Sequence, residues 1–241
     1  MGFNLEVIIL ASGLGSRLKE LTKDRPKAMV EVAGKPLIQY CLDFIEQEHV
    51  NKIKIIAGYK IEVLKNYIEK LRNPKIEIIE NDDYKRGSTI TLSKGIGEQD
   101  FLIMNADHIY PRKMFSKMKK EFKDNSILIA TDRDRTLTDD DMKVSLNPDG
   151  SLKSISKTLK DFSLGYIGST YIGKNMLDIY KKELYKVIEE TDGKANVEAV
   201  LDSLCKKIKI YPVDLSNIGW YEVDTPEERE FAEKSILEKG L

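Results

Sequence analysis

The residues with most chemistry in them lie in one stretch near the start of the chain, Gly13-Leu14-Gly15-Ser16-Arg17, followed by Pro26-Lys27. At Gly13 and Gly15 no side chain shields the backbone N–H groups, so these donors can close on an anion. Arg17 adds a planar, permanently charged fork, and Lys27 a compact ammonium on a flexible stem. The set suits a polyphosphate. Two familiar phosphate loops are excluded by the letters alone. No Gly-Lys-Ser/Thr closes the segment, as a Walker A loop requires, and Leu18 stands where the dinucleotide fingerprint needs a small residue. Far along the chain, Asp107 and Asp224 each follow a short apolar run. Carboxylates at two strand ends suit Mg²⁺, which takes oxygen ligands and is commonly bound by one or two carboxylates plus substrate phosphates.

Such groups need a scaffold. Val7 to Ala11 is a continuous apolar run, the pattern of a strand buried on both faces of a parallel sheet. Helical spacing follows from Leu37 to His49, with Pro36 expected at the first helical position. Strands are expected at 53–57, 76–79, 101–104 and 127–130, and helices at 63–71, 88–95 and 114–122. That alternation predicts an α/β fold with right-handed crossovers. Ligands of open α/β sheets gather outside the carboxyl ends of strands, which is where Gly13 to Arg17, Gly58, Gly87-Ser88 and Asp107 fall. From Lys143 the pattern changes. Asn147-Pro148-Asp149-Gly150 separates two short strands, and further strands are expected at 166–172, 208–213 and 221–223. Helices are expected at 174–190 and 195–207, and Thr225-Pro226-Glu227-Glu228 reads as a capping box.

Composition removes several classes of function. A net charge of −1, with 33% charged residues of both signs, leaves no electrostatic footprint for nucleic acid or an anionic membrane. No apolar run reaches the length of a membrane span, and the start of the chain lacks a basic-then-apolar leader. Cys41 and Cys205 sit at apolar helical positions and are expected to be buried free thiols, which points to a reducing cytoplasm.

The string Gly13-x-Gly15-Ser16-Arg17…Pro26-Lys27 resembles the opening signature of the nucleotidyltransferases (pyrophosphorylases) that join a nucleoside triphosphate to a sugar or alcohol phosphate. The resemblance continues at Gly87-Ser88, Asn105-Ala106-Asp107-His108 and Trp220-Tyr221-Glu222-Val223-Asp224, and so spans nearly the whole chain. Within that family, Asp107 to Tyr110 and Val223 to Thr225 are most similar to the CTP:inositol-1-phosphate cytidylyltransferases. The resemblance implies a Rossmann-like α/β/α sandwich with a mixed, mostly parallel central sheet. It implies one domain, with a nucleotide-binding part over about 1–142 and an acceptor lobe over about 143–241. The substrates would be CTP and a phosphorylated polyol, with Mg²⁺ as cofactor.

The resemblance also distributes roles. Arg17 and the loop at Gly13, Gly15 and Ser16 would hold the β- and γ-phosphates, and Lys27 the α-phosphate. Leu10, Ala11, Gly58, Gly87 and Ser88 would surround the nucleoside, and Asp107 and Asp224 would hold Mg²⁺. Lys157 would reach the acceptor phosphate, with Asn196 and Glu198 on the polyol ring. Removal of Lys27 is expected to cost turnover and little stability. Alternatives are a hexose 1-phosphate or phosphocholine acceptor, or a non-catalytic nucleotide-binding subunit on the same fold. Bland roles are assigned to the rest. His108 is read as a supporting residue, Asp132-Arg133-Asp134 and Asp139-Asp140-Asp141 as solvated loops, and Trp220, Tyr166 and Tyr171 as packing.

Overall fold

A computed structural model of the protein describes residues 5–45 and 49–241, so part of the expected helix running to His49 lies outside the described residues. Strand β1 (Leu5–Ala11) is central. It pairs in parallel with β4 (Val50–Ala57) on one side and β6 (Phe101–Asn105) on the other, and β5 (Ile76–Glu80) extends the parallel block beyond β4. The two-residue period of a strand sends Val7, Ile9 and Ala11 to one face and Ile8 and Leu10 to the other. The first face packs on α1 (Leu37–Phe44), α2 (Ile61–Leu71) and α4 (Arg112–Lys119). The second packs on α3 (Ser88–Gly95), α5 (Leu177–Glu190) and α6 (Glu198–Leu204). Both faces are therefore dry, which is why β1 carries no alternation in its letters. The result is the expected α/β/α sandwich.

The antiparallel element is β11 (Leu164–Ile172). Its C-terminal half runs against β6 and against β8 (Ile127–Asp132), and β12 (Tyr211–Asp214) lies parallel to β8. Strand β8 also pairs with the N-terminal Gly165 and Tyr166, while Leu164 and Gly165 meet β9 (Lys143–Leu146), which pairs with β10 (Leu152–Ser156). Among the described residues the main sheet thus has nine strands, shared by the segments before and after Lys143. The β11–β8 register shifts between Tyr166 and Thr170, and Gly168 sits in that bulge at φ 75°. A Cβ there would lie 2.8 Å from the His108 ring.

A small ladder outside the main sheet brings the distant carboxylates together. Strand β7 (His108–Ile109) pairs antiparallel with β13 (Tyr221–Glu222), and the Val223 N–H donates to the Asp107 carbonyl at 3.0 Å. Helix α7 (Pro226–Lys239) then opens with the expected capping box, in which the Thr225 side chain accepts from the Glu228 N–H. The Glu228 carboxylate accepts in return from the N–H groups of Thr225 and Asp224, at 3.0 and 2.8 Å. The cap therefore fixes Asp224 as well as starting a helix.

Three local expectations change. Pro36 closes a hairpin of β2 (Glu31–Val32) and β3 (Lys35–Pro36) and stands just before α1, because its ψ of 149° is extended. Strand β12 starts at Tyr211, not Ile208. Cys41 is buried as expected, whereas Cys205 is only half-buried, at the end of the short helix α6. Gly168→Ala combines a left-handed backbone with a contact too close for a methyl group. It should lower stability by about 1–3 kcal/mol, seen as an earlier midpoint in urea unfolding.

Candidate active site

At the carboxyl ends of β1 and β6 the chain leaves the sheet and opens a cleft of about 260 Å³. Gly15 shapes its rim. Its φ is 63°, and a Cβ would lie 2.8 Å from the Thr22 methyl and 3.0 Å from Lys27 Cβ. Only glycine lets the loop fold back on the 3₁₀ helix Ser16–Thr22, where the Thr22 hydroxyl donates to the Gly15 carbonyl at 2.9 Å. That closure carries Lys27 inward. Leu10, Ala11, Ser12, Gly13, Lys27, Ser88, Asp107, Asn196 and Glu198 all line the cleft. A second chamber of about 150 Å³ adjoins it, lined by His108, Asp140, Lys157, Tyr166 and Glu222. Asn105, Asn196 and Glu198 form a wall common to both.

The ammonium of Lys27 is the electrostatic centre. It donates to Asp107 Oδ2 at 2.7 Å and also to Asp224, and Lys27 is only 9% exposed. Burial alone would lower its pKa, but the Asp107 and Asp224 charges outweigh that and raise it. Burial would likewise raise the Asp107 carboxyl. Lys27 and His108 reverse that and hold it well below the usual carboxylate range. His108 Nδ1 lies 2.6 Å from Asp107 Oδ1, and its Nε2 lies 3.9 Å from Glu222. Despite burial, these two carboxylates raise the His108 pKa. His108 is stacked between Tyr110 and Trp220, so the carboxylate it turns toward Lys27 is held in place.

The sequence-predicted residues fall into three groups. Leu10, Ala11, Gly13, Lys27, Ser88, Asp107, Asn196 and Glu198 share the cleft, and Asp224 meets it through Lys27. Arg17 and Lys157 are joined across the mouth by Asp140, which accepts from both, the second at 2.9 Å; Arg17 also donates to Asp224. Gly58, Gly87, Gly15 and Ser16 stay outside the lining. Gly58 and Gly87 instead permit close packing. A Cβ at Gly58 would lie 2.5 Å from the Asn81 carbonyl oxygen, and one at Gly87 would lie 2.0 Å from that of Ala195. Gly87 thereby lets α3 dock on the segment that carries Asn196, and the Val197 N–H donates to Ser88 Oγ at 3.0 Å.

Of the Asp139-Asp140-Asp141 run expected to be a solvated loop, Asp139 and Asp140 are exposed and Asp141 is not. Asp141 is buried and accepts from the Thr138 N–H at 2.6 Å, while Asp140 links two site cations. Tyr84, Arg86 and Thr91 also reach the larger chamber, and no motif in the sequence marks them; Glu222 reaches the smaller one from within the Trp220–Asp224 motif, which had given it no role. Asp132 is not the solvated-loop residue expected: it ends β8, is buried and accepts from Trp220 Nε1 at 2.7 Å, while Asp134 accepts from the Asn217 N–H.

Two oxygen donors already directed at one cation match what a hard divalent ion requires, so Asp107 and Asp224 fit Mg²⁺ chemically. Asp107, His108 and Glu222 form a second close group, with ligand atoms within 4.8 Å, in which the imidazole already bonds Asp107.

Comparison with known proteins identifies the family and the fold. Residues 7–208 match the MobA-like NTP transferase domain. The chain is 26% identical over 239 residues to the bifunctional IPC transferase and DIPP synthase of Aquifex aeolicus, covering 97% of this chain and 52% of that protein, about half its length. It superposes on the inositol-1-phosphate CTP transferase from T. maritima with a TM-score of 0.78 at 19% identity, over 98% of this chain and 97% of that one. The CTP:phosphocholine cytidylyltransferase from Streptococcus pneumoniae gives a TM-score of 0.79 at 22% identity, over 97% and 100%.

The burial of Lys27 changes the expectation for its removal. Lys27→Ala leaves Asp107 and Asp224 facing each other with no cation between them, Arg17 and His108 remaining only on their outer sides, a loss of about 3 kcal/mol for a paired charge taken from a largely buried site. The melting temperature should fall in chelator. Added Mg²⁺ should raise it more in the variant than in the wild type, as scanning calorimetry would show.

Proposed function

Because the chain belongs to the MobA-like NTP transferase domain family, a family of nucleotidyltransferases, we propose that it transfers CMP from CTP to inositol 1-phosphate, giving CDP-inositol and pyrophosphate. The observation that carries this reading is the pair of joined chambers. One lies against the Gly13–Lys27 loop, and the other holds a lysine and a buried carboxylate. An oxygen of the acceptor phosphate attacks the α-phosphorus. The bond from that phosphorus to the bridging oxygen breaks, and pyrophosphate leaves with the electron pair. A phosphate dianion, with a second pKa of about 6, needs no general base. Positioning and charge neutralisation supply the catalysis.

Lys27 faces the α-phosphate and the charge that develops there. Arg17 and the N–H groups at Gly13 to Ser16 hold the outgoing phosphates, with Arg17 exchanging Asp140 for substrate. Mg²⁺ on Asp107 and Asp224 would neutralise phosphate charge and favour an in-line geometry. Lys157, at the end of the β9–β10 hairpin, holds the acceptor phosphate.

Glu198 supports a polyol over the alternative acceptors. Burial raises its pKa, with Lys157 pulling the other way, and no side chain among the described residues donates a hydrogen bond to its carboxylate. A ring hydroxyl would supply that donor. The aromatic surface a quaternary amine would need is already covered, since Arg135 lies 4.9 Å from the Trp220 ring centre and His108 stacks on the ring.

Steady-state assays with four triphosphates and a panel of acceptor phosphates test the reading. CTP with inositol 1-phosphate should be the best pair, and phosphocholine should be a very poor acceptor. Equal rates with phosphocholine would overturn the polyol assignment. Glu198→Ala should raise the KM for inositol 1-phosphate by one to several orders of magnitude and leave the KM for CTP nearly unchanged, because a site built for hydroxyls loses its partner.

A further inference from the structure

We propose that the Thr91 hydroxyl reads the pyrimidine edge of the nucleotide as a fixed hydrogen-bond donor, oriented by the buried amide of Asn81. The inference rests on the nucleotide reading of the larger cleft. Asn81 directly follows β5 and has no solvent exposure. The Asp83 N–H donates to Asn81 Oδ1 at 3.1 Å, which fixes which end of the amide is oxygen. The other end must then donate, and it does so twice, to Ser12 Oγ at 3.3 Å and to Thr91 Oγ1 at 3.1 Å. Ser12 passes its own hydrogen to the Ile56 carbonyl at 3.0 Å, so both of its roles are taken.

Thr91 differs. It accepts from Asn81, and no acceptor for its own hydrogen is found among the described residues. Ser12 and Thr91 both line the cleft, and Thr91 stands one turn along α3 from Ser88. A hydroxyl whose lone pair is occupied by a buried amide turns its hydrogen toward the open side. That side is the cleft.

The polarity of this donor has a chemical consequence. Cytosine offers acceptors at both N3 and O2. Uracil accepts at O2 as cytosine does but carries a hydrogen at N3, so a donor placed against N3, the position proposed for the Thr91 hydroxyl, meets an acceptor in cytosine and another donor in uracil. The three residues thus form a relay that runs from the Asp83 backbone to the base and favours CTP over UTP. Had the amide pointed the other way, the same threonine would have presented a lone pair.

Isothermal titration calorimetry of CTP and UTP, without acceptor, tests the assignment in wild type, Thr91→Val, Thr91→Ser and Asn81→Asp. Valine keeps the shape and removes the hydrogen, so CTP binding should weaken about tenfold with UTP little changed. Serine should restore the preference for CTP. In Asn81→Asp a carboxylate takes the Thr91 hydrogen, which should turn the preference toward UTP. If that variant does not fold, the Thr91 pair alone decides. Thr91→Val binding both nucleotides as the wild type does would overturn the inference and leave the cytidylyl reading intact. A wild type that prefers UTP would overturn that reading and the donor polarity with it.

Discussion

One ammonium between two carboxylates organises this molecule. Lys27 arrives from the loop after β1, Asp107 from the end of β6 and Asp224 from the segment before α7, and they meet at hydrogen-bonding distance. Three like-signed or unpaired charges at a sheet edge would be costly, and the pairing removes that cost. It also requires everything around it. Gly15 must turn backward for Lys27 to enter, the β7–β13 ladder must form for Asp224 to arrive, and His108 must hold Asp107 from behind. The catalytic groups of the proposed reaction are thus also a tertiary lock.

The same cluster explains how a site can be charged and partly buried before substrate arrives. Each cation has a resident carboxylate, with Asp140 serving Arg17 and Lys157 together. Phosphates of a bound nucleotide would compete with these carboxylates for the same donors. The exposed bridge through Asp140 is weak by comparison with the buried one through Lys27, because solvent screens it. Exchange therefore starts at the mouth of the cleft, where the ion pairs are loosest.

Much of this was legible in the letters. The unbroken apolar run at Val7 to Ala11 announces a strand with two buried faces, and Gly-x-Gly announces the backward turn that brings Lys27 into the cleft. Local chemistry likewise declared the capping box at Thr225, since all its partners lie within one turn. What escaped notice depended on long-range meetings. Asp140 faces solvent as its run of charge implies, but nothing local says that Arg17 and Lys157 will converge on it or that Asp141 will be buried. Gly58 and Gly87 read as nucleotide contacts, and nothing local shows that their missing side chains also admit backbone from Asn81 and Ala195. Asn81 carries no motif at all. Its importance lies in which way an amide points, which only the surrounding donors decide.

The β9–β10 hairpin joins β11 through only two residue pairs, Leu164 with Val144 and Gly165 with Lys143, while β11 pairs with β8 from Gly165 onward and with β6 from Ser169. Lys143 also donates to the Lys157 carbonyl at 2.9 Å, so the lysine proposed for the acceptor phosphate travels with this hairpin and not with the strands that carry the loop proposed for the nucleotide phosphates. Replacing the hairpin would disturb few hydrogen bonds of the main sheet. On such a layout one end of the molecule is free to drift toward new alcohols while the other stays committed to one leaving group. That is an architecture suited to diversification by exchange of parts.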